Sequence, residues 1–137
     1  GVYNNEKLKN MVEVVSKYDK LSKEHNGDFM SKEIMISRFG SKLSSINIAP
    51  EIGVLQTKLI LEYLNAEDKE LFYNLCYKSK KWVKWVSKDF VPEDNKEKLT
   101  EISGHYVFSN IEFKNMIMKY LIDYELLNNF FINIYDI

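Results

Sequence analysis

Residues 78–88 read KSKKWVKWVSK, five lysines and two tryptophans in eleven positions without an acid. How this stretch folds decides the architecture around it. On a helix turning 100° per residue, Leu71, Leu75, Trp82, Trp85 and Val86 share one arc, flanked by Phe72 and Val83. Lys80, Lys81, Lys84 and Lys88 take the opposite arc, and Lys78 lies beside the tryptophans. Strand alternation would send the two indoles to opposite faces. The spacing therefore predicts one amphipathic helix from about Ala66 to Asp89, with both tryptophans turned into a core and the ammonium groups in water.

The chain on either side has the same period. From Asn5 to about His25, Leu8, Met11, Val12, Val15 and Tyr18 recur at three- and four-residue steps, one buried helical face, with Gly27 as the stop. Ser31 can cap a second helix whose inward side is Ile34, Phe39, Leu43 and Ile46. Pro50 suits a first helical position and opens a third, to about Leu64, with Ile52, Val54, Leu55, Leu59, Ile60 and Leu61 nearly all round the wheel. Asn65 caps the fourth helix, and Pro92 with the following polar run marks a loop. Leu99–Ser103 reads as a short helix ended by Gly104. SNIE at 109–112 reads as a capping box with Ser109 as the cap, opening a sixth helix to about Leu127. The tail FFINIYDI at 130–137 suits a strand or a packed turn.

The fold class expected is all-α or nearly so: a compact bundle of six to seven helices, with the third and sixth in the middle and room for a short C-terminal strand. A length of 137 residues fits a single helical domain over 1–137, and the start at Gly1 suits part of a longer or processed chain. No apolar run approaches the length of a membrane span.

Charge and composition narrow the function. Nineteen basic against twenty acidic residues leave a net charge of -1, so no global field draws the chain to nucleic acid or an anionic membrane. Any such attraction is local. An apolar fraction of 45% with 14% aromatics is that of a folded chain. The single Cys76 favours a reducing intracellular compartment without excluding secretion. Lysine outnumbering arginine, with many Asn, Ile, Tyr and Phe, suits an AT-rich genome, as in some parasites, viruses and low-GC bacteria.

Catalytic signals are sparse. Histidine occurs twice. His25 reads as a cation at the end of the first helix. His105 follows Glu101 by four residues, a two-ligand spacing short of the four donors a closed zinc site needs. There is no glycine-rich phosphate loop, since RFGS at 38–41 lacks the lysine-serine pair. Cys76 reads as a small buried hydrophobe. No cofactor, metal or catalytic residue is assigned, and the chain is expected not to be an enzyme.

Binding is left. The expected function is a helical protein–protein interaction module, of the kind a pathogen or virus uses as a host-interaction or adaptor protein. Its partner surface would be Lys78, Lys80, Lys81, Lys84 and Lys88, or a groove holding Met30 and Met35. An anionic membrane surface or nucleic acid is the other class of partner for these lysines. A separate alternative is a winged-helix-like nucleic-acid-binding domain in 99–137, where Ser109, Asn110, Lys114 and Asn115 would face a groove. Charge opposes it: that segment has only Lys114 and Lys119 against five acids.

Overall fold

The computed structural model describes residues 4–25 and 27–120. Among them are six α-helices and one short parallel pair of strands, a nearly all-α fold. The chain divides into two compact units, residues 1–51 and 52–137. No helix among the described residues is long and apolar enough to cross a membrane. The readings that reach past residue 120, namely the extension of the sixth helix to Leu127 and the strand-like tail, lie outside the described residues.

The first unit begins with α1 (Asn5–Lys17), where the Asn4 side chain accepts the Lys7 N–H at 2.9 Å. The helix stops ten residues before Gly27, because Asp19 adopts a left-handed backbone (φ 54°). Its N–H then donates to Ser16 and that of Lys20 to Val15, the reciprocal pair of bonds that satisfies the last carbonyls of a helix. β1 (Lys23–Glu24) and β2 (Ser45–Ile46) pair in parallel, with Lys23 opposite Ser45. Between them lies α2 (Lys32–Gly40), capped by Ser31 and closed by left-handed Lys42 (φ 66°). Asp28 accepts the N–H groups of Ala49 and Glu51 at 3.0 and 2.9 Å, which fixes the first turn of α3 (Pro50–Tyr63).

The interior of this unit is small: Leu8, Val12 and Leu43 are buried, with Ile46 against them. Met11 and Tyr18 of the expected α1 face point outward, at 57% and 72% exposure. Phe39 is likewise exposed, while Arg38 is buried and ion-paired to Glu24 at 2.5 Å. His25 follows β1 and ends no helix.

The second unit holds most of α3, then α4 (Ala66–Ser79), α5 (Lys96–Ser103) and α6 (Ile111–Ile117). Its core joins Ile60, Leu61 and Leu64 to Phe72, Leu75, Cys76, Leu99, Val107, Phe113 and Met116. The element at the centre is α4, not α3 or α6: it packs on α5, α6 and the 3-10 turn Gly104–Tyr106, and carries the fully buried Phe72 and Cys76. Phe72 meets Phe113 at 4.9 Å between ring centroids. Gly104 lets its turn lie directly against α3 and α4, since a Cβ there would come within 2.4 Å of Thr57 Cγ2 and 2.7 Å of Phe72 Cζ. Buried hydroxyls are satisfied inside their own helices, Thr57 to Gly53, Thr100 to Lys96 and Ser103 to Leu99.

A buried carboxylate ties the start of α4 to the turn that follows α6. Asp68, in the first turn of α4, accepts the Tyr120 hydroxyl at 2.5 Å and Lys119 Nζ at 3.0 Å. The Tyr120 oxygen in turn accepts the Asn65 N–H at 3.2 Å. These bonds, the tyrosine's first and the lysine's second, hold the Asp68 carboxyl below the usual aspartate range.

Candidate functional site

The lysine-tryptophan stretch does not continue α4. The helix ends at Ser79, and Lys80 takes a left-handed backbone (φ 57°). Local bonds explain the stop. Ser79 Oγ donates to the Cys76 carbonyl at 2.7 Å and accepts the Lys81 N–H at 3.2 Å. The Tyr77 carbonyl is taken by the Lys80 N–H and by the Trp82 indole N–H, the latter at 3.2 Å. A tryptophan side chain thus does what the next turn of helix would otherwise do for an orphan carbonyl.

With the helix ended, the 100° wheel no longer governs where the indoles point. Trp82 is buried, stacked on Tyr77 (6.0 Å, 16°) and tilted against Phe90 (5.9 Å). Trp85, at the end of the 3-10 turn Val83–Trp85, is 47% exposed. The expectation of two inward indoles holds for Trp82 and fails for Trp85. Val83 and Val91 add further exposed apolar surface.

Lys78, Lys80, Lys81, Lys84 and Lys88 are all exposed. Two of them lie over aromatic rings: Lys80 Nζ is 4.2 Å from the Tyr77 centroid, and Lys84 Nζ is 4.9 Å from both the Trp85 and the Tyr106 centroids. Such contacts orient an ammonium group while leaving it hydrated. Among the described residues none of the five has a carboxylate within 4 Å. Lys58, Lys96, Lys98 and Lys119 of the same unit all do.

Beside Lys84 lies His105, a residue the sequence offered only as a weak metal ligand. Its ring is 4.0 Å from that of Tyr106 and rests against Gly53, where a Cβ would come within 2.6 Å of His105 Cγ. Nδ1 is buried without a hydrogen bond. Burial, and then the Lys84 charge, push the imidazole pKa below its ordinary value. Glu101 faces Lys58 and Lys98 instead of His105. Among the described residues no three His, Cys, Asp or Glu side chains come together as a metal site would need.

Burial also raises the Cys76 thiol to about 12, which makes it unreactive as a nucleophile. Around α6 the cap is Asn110, one residue later than the sequence pattern placed it, with its side chain accepting the Glu112 N–H at 2.7 Å. Asn110 is thus occupied in capping, whereas Ser109, Lys114 and Asn115 are exposed. Met30 and Met35 are half-buried in the first unit. In comparisons with family models, with curated proteins and with solved structures, no match to this chain was found.

Proposed function

We propose that the chain is a non-enzymatic helical module, an adaptor that binds an acidic surface of another protein through Lys78, Lys80, Lys81, Lys84 and Lys88, with Trp85 as the apolar anchor among them. One observation carries this reading. Among the described residues the unit pairs Lys58, Lys96, Lys98 and Lys119 with carboxylates, leaves Lys69 and Lys114 as isolated surface cations, and gathers the other five, also without a carboxylate, within eleven residues. A cluster of unneutralised like charge costs self-repulsion and contributes nothing to packing, so its use is sought outside the chain. Ammonium groups act as point charges and lack arginine's bidentate fork, so they contribute attraction and encounter rate, and the exposed indole contributes the fixed contact.

The test is capture of partners from an extract of the source organism by the wild-type chain and by a variant carrying Lys80→Glu, Lys81→Glu, Lys84→Glu and Lys88→Glu, with circular dichroism confirming equal helicity. Loss of specific proteins on charge reversal, and their release from the wild type by salt, is the expected result. An identical captured set would contradict the reading.

A further inference from the structure

Helix α1 carries a second face besides the one it buries. Leu8 and Val12 are turned into the interior of the first unit. Lys7, Met11, Val14 and Tyr18 recur at steps of four, three and four residues, so on the helical wheel they fall within about 60° of one another, away from that inward face. This is the spacing of the seam along which two helices pack. All four are exposed, and a shallow groove follows the stripe, lined by Lys7, Met11, Val14 and Val15 with Glu6 and Asn10. A unit with so small an interior thus turns three large apolar side chains of one helix into solvent.

Charge says what covers the stripe. Glu6 and Lys17 stand three turns apart along one edge of it, within about 20° on the wheel. Among the described residues neither has an oppositely charged group within 4 Å. A second α1 laid antiparallel, with Met11 of each copy on Val14 of the other, brings Glu6 beside Lys17 of the opposite copy twice over, with Asn10 against Glu13 between them. The same register sets each Lys7 ammonium on the opposite Tyr18 ring. A parallel pair would set Lys7 on Lys7 in the seam and Glu6 on Glu6 at the edge, so the face is complementary to itself in one orientation. We propose that two copies of this chain pair antiparallel through Met11, Val14 and Tyr18 of α1, held in register by the reciprocal Glu6–Lys17 contacts. Three apolar side chains from each copy make a small interface, so the dimer forms in the micromolar to millimolar range. This surface belongs to the first unit and does not depend on the lysine-tryptophan reading.

The test is sedimentation equilibrium of the full chain at low ionic strength, from about 10 μM to about 1 mM, with circular dichroism confirming wild-type helicity of each variant. The wild type should pass from monomer toward dimer across that range, and Met11→Asp should stay monomeric. Glu6→Lys and Lys17→Glu should each weaken the dimer by about fivefold or more, since each replaces two attractions by two like-charge contacts. The double variant exchanges the charges and should return to within about twofold of the wild type. A wild type still monomeric at the highest concentration, a dimer indifferent to Met11→Asp, or a double variant no tighter than the single ones would each overturn the proposal.

Discussion

The two units solve the same problem with different means. Residues 52–137 bury a continuous aromatic and aliphatic interior around Phe72, Leu99 and Met116, each at most 1% exposed. Among the described residues of 1–51, three aliphatic side chains are buried, and the unit relies on polar fastenings, the Arg38–Glu24 pair and the Asp28 bonds to the start of α3. A small interior leaves little apolar area to offset chain entropy, so single polar contacts weigh more there. The larger core frees its surface, and the lysine cluster is carried on that side of the comparison.

The largest expected effect is in the second unit. Phe72→Ala should cost about 3–5 kcal/mol in chemical denaturation, whereas Leu8→Ala, which borders an existing cavity, should cost about 2 kcal/mol. Equal costs would erase the contrast between the interiors. Gly104→Ala should lose about 1–3 kcal/mol through the clash of its Cβ with Thr57 and Phe72. A neutral result would mean that the 104–106 turn does not pack as closely as described.

Asp68→Asn should cost about 1–3 kcal/mol by weakening two charge-assisted bonds. Its pH dependence has a definite sign. Because the folded carboxyl titrates below the ordinary aspartate value of 3.8, its contribution is present above that pH and is lost as pH falls through the depressed folded value. The stability difference between wild type and Asp68→Asn should therefore shrink on acidification below about pH 4. A difference independent of pH down to complete acid unfolding would contradict the network. The smallest effect is expected at the surface: Lys81→Glu with Lys88→Glu should leave the melting midpoint unchanged, since neither lysine holds the fold.

The beginnings of α2, α3 and α4 were legible in the sequence, as were the ends of α3 and α5, whereas the ends of α1, α2 and α4 were not. Pro50, Ser31 and Asn65 stand where residue chemistry places them, because a fixed φ or a short side-chain oxygen acts through its nearest neighbours. The ends of α1, α2 and α4 are made by Asp19, Lys42 and Lys80 in left-handed conformations. Glycine advertises such a position, whereas a lysine there is stabilised by bonds made after folding, as the Trp82 indole and Ser79 hydroxyl show. The stop at Lys80 is what turns Trp85 out of the interior that helical periodicity assigns to it.

The candidate surface was half legible for the same reason. Composition alone marks the five lysines, but which cations find carboxylates is a tertiary property: Lys96 reaches Glu70 at 2.7 Å across 26 residues. Arg38 shows the converse, a charged residue on an apparently solvated helix face that ends up buried because Glu24 of β1 meets it. Periodicity assigns faces, not partners.

The split between the tryptophans is the point on which the binding surface stands. With both replaced by 5-fluorotryptophan, the chain gives two ¹⁹F resonances, assigned by Trp85→Phe. The Trp85 signal should move with the H₂O/D₂O ratio and broaden with a soluble paramagnetic quencher, while that of Trp82 should respond to neither. Equal protection of the two, or equal exposure, would contradict a lysine surface anchored on one buried and one open indole.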